Sequence, residues 1–320
     1  MEARPHDPEA PPRAGDVAAR GRSRGRSELA LHYARGLLMG TADMVPGVSG
    51  GTVALVVGVY ERLVRSVRAV TSAPVALVRR DSAAARAHVR EVEWTLVLPL
   101  VLGILTAIAI GSGIVPTLLE EHPLETSSLF FGLILGSLVV PWRLLDRVGA
   151  RELALVAAAA VAAFVLVGLP DREIADPSLP LVFGAAAVAI CAMVLPGISG
   201  AYLLLLIGVY KATLDAVHDR DVVYVAVFVA GAATGLALFS RVLARLLERH
   251  HATTMAVLLG LMVGSLRALW PWAGDDRSLQ APESGAELLT AAIYAAIGVG
   301  VVTAVIRIAT LRRRGDRVDS

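Results

Sequence analysis

One motif occurs twice in this chain, and each copy interrupts an apolar stretch. The segment Ala42–Tyr60 reads ADMVPGVSGGTVALVVGVY, and the segment Ala192–Tyr210, 150 positions later, reads AMVLPGISGAYLLLLIGVY. Both contain a Pro-Gly pair, a Ser-Gly pair and a closing Gly-Val-Tyr. Proline lacks a backbone donor and clashes with a continuing helix, so each copy breaks the helix that leads into it. The chain is therefore expected to consist of two related halves, each opening with a broken helix.

The similarity continues beyond the motif at a shorter spacing. LLEEH at Leu118–His122 matches LLERH at Leu246–His250, 128 positions later. Four more pairs keep that spacing: Gly132 with Gly260, Gly136 with Gly264, Ser137 with Ser265, and Trp142 with Trp270. The change in spacing predicts a 22-residue insertion in the Arg-rich linker after Tyr60. This order of matches indicates an internal duplication.

Composition indicates that the chain folds in lipid. Hydrophobic residues make up 56% of the chain and charged residues only 18%, and the mean hydropathy is +0.65. Soluble domains contain about 25% charged residues. Six apolar runs approach or exceed the length of about 20 residues that crosses a bilayer as a helix. We expect transmembrane helices at Trp94–Leu119, Ser127–Pro141, Leu153–Leu169, Val222–Leu238, Thr253–Leu266 and Leu288–Val305.

The arginine distribution predicts how the broken segments enter the membrane. Six arginines precede the first broken segment, which runs from Leu29 to Tyr60, and seven lie in the linker 61–93. Arg-rich loops stay in the cytoplasm, so both ends of this segment are expected there. A re-entrant hairpin meets that condition and a single span does not. The second broken segment lies between acidic loops at 170–180 and 211–221, so we expect it to enter from and return to the outer side.

These assignments predict an all-α integral membrane fold. It consists of two inverted repeats, each a re-entrant helical hairpin plus three transmembrane helices, as in many secondary transporters. The first repeat covers 29–169 and the second 181–306. Residues 1–28 are expected to form a disordered cytoplasmic tail and residues 307–320 a basic cytoplasmic tail.

The breaks are candidate anion sites. Irregular backbone persists in lipid only where protein buries it or where it lines a polar cavity. A helix that starts after such a break has free N–H groups and partial positive charge, and glycines let a ligand approach closely. Two such starts facing each other would bind a phosphate or a carboxylate, unless the breaks are only structural kinks. The expected ligating residues are Pro46, Gly47, Ser49, Gly50, Gly51, Thr52, Pro196, Gly197, Ser199 and Gly200.

Three charged residues at membrane depth are further candidates. Arg35 and Arg267 would contact the anion, unless their side chains snorkel to the membrane surface. Asp43 is too short to snorkel, and its counterpart in the second copy is Met193. We assign it a coupling role, with protons or sodium as the coupling ion. No metal-ligand spacing occurs in the sequence, so no metal or cofactor is expected, and the net charge of +2 gives no indication of nucleic-acid binding.

Three segments resemble the motifs of a bacterial and archaeal membrane family associated with polyprenyl-phosphate transport (PopT-type). They read GLLMGTADMVPGVSGGTVALVVGVYERL, LPGISGAYLLLLIGVY and GLMVGSLRALWPW, and the resemblance covers roughly 36–306. It implies a lipid flippase of the bacterial inner membrane, with both termini cytoplasmic, rather than an enzyme. Such a protein returns undecaprenyl phosphate, or a related polyprenyl phosphate, to the cytoplasmic leaflet for cell-envelope synthesis. The residues named above would then hold the phosphate headgroup.

Two other functions stay open at this point. One is a small-anion secondary transporter or channel. The other is an enzyme, since PGVSGGT is similar to the PGxSRS motif of the undecaprenyl-pyrophosphate phosphatase family. However, Gly50 stands where that motif has arginine, and the sequence has no paired Glu-x-x-x-Glu. The groups for acid–base catalysis and for clamping phosphate are therefore missing from this chain's motif.

Overall fold

The computed structural model describes residues 14–45, 48–111, 114–145, 148–274 and 277–318. Over these residues the chain forms fifteen α-helices, and a short 3₁₀ helix, Leu266–Leu269, follows α14. The helices are α1 (Ala14–Asp43), α2 (Gly50–Val56), α3 (Tyr60–Val78), α4 (Ser82–Glu91), α5 (Trp94–Gly111), α6 (Ile114–Glu121), α7 (Pro123–Ser137), α8 (Val139–Arg143), α9 (Ala150–Val167), α10 (Leu179–Val194), α11 (Gly200–Ile207), α12 (Tyr210–His218), α13 (Val222–Arg249), α14 (His251–Ser265) and α15 (Gly285–Val318).

Six helical segments among the described residues are long and apolar enough to cross a membrane. They are α5, α7 with α8, α9, α13, α14 with its 3₁₀ extension, and α15. All six coincide with the apolar runs of the sequence, which confirms the prediction of an all-helical, multi-pass membrane protein. Their apolar residues face outward as well as inward, as expected where lipid replaces water around the fold.

The duplication reappears in the packing of the first helices of each half. Helix α1 packs along α5, and α10 packs along α13. Gly103 of α5 lies directly against the backbone carbonyl of Tyr33, and Gly231 of α13 lies directly against that of Phe183. These contacts are equivalent in the two copies. A side chain at either glycine would collide with the neighbouring backbone, so glycine permits the close approach.

These helix pairs run in the same direction. Gly36 and Gly40 of α1 contact Leu100 and Ile104 of α5, in that order, so residue numbers rise together along both helices. Helices α1 and α5 therefore start at the same end of the molecule, and the intervening chain must return to that end. In the second half, Gly231 contacts Phe183 and Gly235 contacts Ala187, so α10 and α13 are also parallel. In each half, the chain between the two parallel helices thus returns to the end at which the first of them starts.

The remaining spans pair across the two halves. Helix α7 packs on α15, and α14 packs on α9, so the second span of each half contacts the third span of the other half. The Gly-x-x-x-Gly patterns make these contacts. Gly132 lies against Ala295 and Gly136 against Val299, while Gly260 lies against Val156 and Gly264 against Ala160. The two halves are therefore interlocked.

Two element boundaries differ from the sequence expectation. Helix α1 begins at Ala14 rather than Leu29, so residues 14–28, expected to be a disordered tail, continue the helix. Helix α15 likewise continues through much of the expected basic tail to Val318. Once an apolar segment anchors a helix, propagation into polar sequence is inexpensive. The first predicted span, Trp94–Leu119, contains α5 up to Gly111 and α6 from Ile114, and residues 112–113 between them lie outside the described residues.

The 22-residue insertion consists of the second half of α3 together with α4. Helix α3 has 19 residues and its counterpart α12 has 9, and α4 has no counterpart. Both helices end in the same turn, where Arg80 (φ 59°) and Arg220 (φ 58°) adopt left-handed backbone conformations. The following Asp81 and Asp221 then cap the next helix through their carboxylates. The insertion thus extends one end of the first half and leaves the rest of the repeat intact.

Helix α14 forms the centre of the fold. In its apolar stretch 56% of the residues are buried, whereas 17–28% are buried in the other five spans. Met255, Leu258 and Met262 of this helix are fully buried. Gly197 of the second break lies against Met262, so α14 supports that break from inside the molecule.

Candidate functional site

The two broken segments meet inside the molecule. The Ser49 hydroxyl donates to the backbone carbonyls of Leu195 (3.2 Å) and Met193 (3.4 Å). The Gly197 amide donates to the Thr52 hydroxyl at 3.1 Å. Side chains of the first break therefore satisfy backbone groups that the second break leaves unpaired. The duplicated motifs face each other, as their symmetry suggested.

Tyr60 reinforces this contact. Its hydroxyl donates to the Val194 carbonyl at 3.1 Å, and its side chain is only 4% exposed. The carbonyl of Val194 also lies 3.0 Å from the point where a Cβ on Gly51 would stand, so glycine is needed there for close approach. Tyr60, which follows α2, and Gly51, at the start of α2, thus both contact the Val194 carbonyl just before the second break.

The amides at the start of α2 are already occupied. The Asp43 carboxylate accepts a hydrogen bond of 2.6 Å from the Gly50 amide, and the Ser49 hydroxyl accepts one of 3.1 Å from the Gly51 amide. Oxygens of the protein therefore take the place that Gly50 and Gly51 were expected to offer a ligand. An incoming anion at this break must displace the Asp43 carboxylate, because both would use the same donor.

The second break differs at the equivalent position. Met193 replaces Asp43, and its side chain lies beside Gly200. Ser199 precedes α11, yet its side chain makes no capping hydrogen bond to that helix. Gly197 has a φ of +90°, a conformation that glycine adopts without strain. The start of α11 therefore carries no acidic side chain of the protein.

A cavity of about 180 Å³ adjoins both breaks. Its polar lining comes from Asp43, Ser49, Ser199 and the Gly200 backbone, and no arginine or lysine contributes to it. Its other walls are apolar and come mainly from α10, α11 and α13. They are Ala186, Ala189, Ile190, Met193, Ile198, Ala201, Leu204, Phe228 and Ala232. The cavity is thus amphipathic, with its polar groups concentrated at the two breaks.

The arginines proposed from the sequence lie elsewhere. The Arg267 guanidinium donates to the carbonyls of Phe164 and Arg277, at 3.2 Å each, and stacks 4.6 Å above the Phe164 ring. Arg35 is within 3.0 Å of the His32 ring, one turn earlier in α1. Neither residue lines the cavity, so the structure does not bring them to the breaks. Arg267 instead ties the loop after α14 to the end of α9.

The two Pro-Gly pairs differ in what the structure describes. Pro46 and Gly47 lie outside the described residues. Pro196 is buried at the second break, directly before Gly197. Among the described residues, no group of three or more His, Cys, Asp or Glu side chains has a geometry that could hold a metal ion.

Comparison with known proteins identifies the family. The family model described as undecaprenyl phosphate translocase-like matches residues 39–287, which include both breaks and five of the six spans in full. The chain belongs to this family. It is 38% identical over 244 residues to a polyprenyl-phosphate transporter of Vibrio cholerae serotype O1, a match that covers 75% of this chain and 77% of the relative. No solved structure matches the chain.

A second curated relative is also a polyprenyl-phosphate transporter. The chain is 29% identical over 262 residues to a polyprenyl-phosphate transporter of Staphylococcus aureus, covering 75% of this chain and 86% of that protein. The family resemblance stated from the three sequence motifs is therefore confirmed. Both curated relatives match along most of their own length.

Sequence reasoning missed Tyr60 as a residue of the site. Its position at the end of an apolar stretch is typical of an interfacial anchor, yet the structure buries it against the second break. The sequence contains no signal of this difference, because both copies of the motif have tyrosine at this position. Tyr210, at the matching position, is more exposed than Tyr60 and has no equivalent bond to the first break. A residue whose partner lies 134 positions away cannot be assigned to that partner from the local pattern.

Proposed function

We propose that this protein moves polyprenyl phosphate across the membrane, from the outer to the cytoplasmic leaflet, and so returns the carrier lipid for cell-envelope synthesis. Membership of the translocase-like family supports the substrate class. The observation that carries the proposal is the amphipathic cavity where the two broken segments meet. A charged headgroup that crosses the bilayer needs polar contacts at depth, while its isoprenoid chain can stay in lipid.

The proposed headgroup site is centred on the second break. Ser199 and the Gly200 backbone line the cavity, and no acidic side chain occupies the start of α11. Pro196, Gly197, Ser49, Gly50, Gly51 and Thr52 are proposed to form the surrounding frame. Pro46 and Gly47, which lie outside the described residues, are assigned to the site from the sequence motif alone. Ser49 and Thr52 act there through the second break, whose backbone they hold in place.

Asp43 is proposed to couple transport to an ion. Its carboxylate holds the Gly50 amide and also lines the cavity, so its negative charge repels a phosphate that enters the same cavity. Binding of a proton or of sodium would weaken its hold on Gly50 and reduce its repulsion of the phosphate. Release of that ion on the other side would restore the carboxylate. This cycle makes entry of the headgroup depend on the state of Asp43.

The proposed orientation places both termini in the cytoplasm of a bacterial inner membrane and makes the second half inverted relative to the first. The arginine distribution supports this orientation. The parallel packing of α1 with α5 and of α10 with α13 also supports it, since each pair then starts on one side of the membrane. The protein is proposed to act as a flippase, without breaking a covalent bond in its substrate.

A transport assay with two neighbouring substitutions tests the site. Ala232 lines the cavity, whereas Ala233, the next residue of α13, is exposed on the outside of the fold. In proteoliposomes loaded with a polyprenyl phosphate, Ala232→Phe is expected to reduce flipping about tenfold, because the added ring fills the cavity. Ala233→Phe is expected to keep the wild-type rate. Equal rates for the two variants, each with unchanged thermal unfolding, would exclude this cavity from the transport path.

The same proteoliposomes test the role of Asp43. Asparagine keeps the size of the side chain and an oxygen that accepts from Gly50, but it carries neither charge nor proton. We therefore expect Asp43→Asn to fold normally and to lose the response of flipping to a proton or sodium gradient. A variant whose flipping still follows the gradient as wild type does would refute the coupling role.

A further inference from the structure

A second cavity, of about 390 Å³, lies at the opposite end of α2 from the breaks. Ser49, just before α2, contacts the first cavity, and Leu55–Gly58, at the end of α2, line the second. A helix of seven residues spans about 10 Å, so a single short helix joins the two cavities. The second cavity also contacts α3, α8 and the end of α15. All of these segments are at the end of the fold that the charge pattern assigns to the cytoplasm.

The charges around this cavity are unbalanced. Three arginines line it, namely Arg62, Arg65 and Arg143, with a single carboxylate from Glu61. Arg62 is paired with Glu93 at 2.6 Å, and Glu61 is paired with His251 at 3.0 Å. Among the residues that the structure describes, Arg65 and Arg143 have no acidic partner. Two uncompensated guanidinium groups therefore flank the opening.

The interior of the same cavity is apolar. Val139 and Val140 of α8 line it together with Met255 and Ile306. A free inorganic anion would gain nothing from these walls. A phosphate monoester with a hydrocarbon chain would place its head between the arginines and its first isoprene units against the apolar residues. The combination of charge and apolar wall thus fits an amphiphile.

The duplicated half provides an internal comparison. The positions that match Arg62, Arg65 and Arg143 are Ala212, Asp215 and Pro271. The repeat therefore keeps its helices without these arginines, and the fold does not require them. Their presence in one half only makes the two ends of the molecule electrostatically different.

We infer that this cavity is a second binding site, which receives the phosphate monoester headgroup of an isoprenoid lipid at the cytoplasmic end of the path, with Arg65 and Arg143 as its cationic ligands. The inference rests on the proposed function for the identity of the lipid. It adds a site at which the headgroup is held after it leaves the breaks. Cationic residues on one side only would favour accumulation of the headgroup on that side.

A site-specific protection assay tests this inference. Val140→Cys is introduced after the native thiol is removed by Cys191→Ser, and the purified full chain is placed in nanodiscs. Alkylation of the introduced thiol is then followed with increasing farnesyl phosphate. We expect farnesyl phosphate to slow the alkylation. Arg65→Gln with Arg143→Gln should raise the half-protecting concentration about tenfold or more, because the variant loses both charge-assisted hydrogen-bond donors to the phosphate.

Arg151→Gln is the matched control, since Arg151 is exposed at the same end of the molecule and does not line the cavity. It should leave the half-protecting concentration unchanged. Inorganic phosphate and phosphatidylglycerol are tested in parallel. Equal protection by inorganic phosphate would make this a soluble-phosphate site, and equal protection by phosphatidylglycerol would make it a general lipid contact. Either result overturns the inference, as does equal protection of wild type and the double variant.

The assay separates this inference from the proposed function. If wild type fails to flip polyprenyl phosphate but protection still depends on Arg65 and Arg143, the site stands and the proposed function fails. If wild type flips the lipid and the double variant has the same half-protecting concentration as wild type, the inference fails and the proposed function stands. Unchanged thermal unfolding of the double variant, expected because both side chains are exposed, excludes misfolding as the cause.

Discussion

At the scale of single residues, the two copies of the motif use the same serine differently. Ser49 is buried, donates to the Leu195 carbonyl and accepts from the Gly51 amide. Ser199 is more exposed and faces the cavity between the breaks. Both serines line the cavity, but the Ser49 hydroxyl also links the two breaks, whereas the Ser199 side chain makes no capping hydrogen bond to its own helix. This division was not predictable from a motif that reads identically at both serines.

We predict that the two serines separate stability from transport. Ser49→Ala removes hydrogen bonds between buried groups and should reduce the free energy of unfolding by about 1–3 kcal/mol. Ser199→Ala should leave the unfolding free energy nearly unchanged and lower the rate of flipping. Unfolding in denaturing detergent and flipping in proteoliposomes measure the two quantities. Similar stability losses in both variants would contradict the division of roles.

The site was only partly predictable for a physical reason. Symmetry between the repeats indicated that the breaks would face each other, and Ser49 does reach Leu195. The sequence does not reveal what each polar group bonds, because the partner of Thr52 is 145 positions away. Asp43 is the clearest case. Its charge marked it as functional, but its bond to Gly50 depends on how the chain turns between them.

At the scale of helices, glycine determines which surfaces touch. Helix α15 offers a direct comparison within one turn. Gly298 lies against the backbone carbonyl of Leu129 in α7, whereas a Cβ on Gly300 would meet nothing within 4 Å. The first glycine permits helix contact, and the second has no packing role. The sequence predicted these spans well because apolar length is a local property, but it did not predict which glycines face a partner.

We predict opposite effects for alanine at these two positions. Gly298→Ala should destabilise the protein by about 1–3 kcal/mol, because the new methyl group forces α7 and α15 apart. Gly300→Ala should be neutral or stabilise by up to about 1 kcal/mol, because alanine favours helix over glycine. Thermal unfolding of the purified variants measures both. A neutral Gly298→Ala would show that the contact with Leu129 adjusts without cost.

At the scale of the whole molecule, the proposed inverted arrangement can be tested from each side of the membrane. Ser82, the first residue of α4 in the Arg-rich linker of the first half, and Ser178, directly before α10 of the second half, are both exposed. If the halves are inverted, these positions face opposite sides. The test uses Cys191→Ser as background, since Cys191 is the chain's one cysteine.

We expect an impermeant maleimide to label Ser178→Cys in intact cells. Ser82→Cys should react only after the membrane is permeabilised, because the Arg-rich segment around it stays in the cytoplasm. The yield of labelled protein on a gel measures both. Labelling of both positions from the outside would rule out the proposed orientation while leaving the helix packing unaffected.

The interlocked pairing of the spans has a consequence for synthesis. Helix α7 packs on α15, which is synthesised after all the other described helices, and α9 packs on α14. The glycine-lined faces of α7 therefore have no permanent partner while most of the second half is still being made. The long parallel pairs α1 with α5 and α10 with α13, in contrast, can form within a half as it emerges. The contact of α7 with α15 thus forms only after α15 has been made, and a chain truncated before Gly285 would leave the Gly132 face of α7 uncovered.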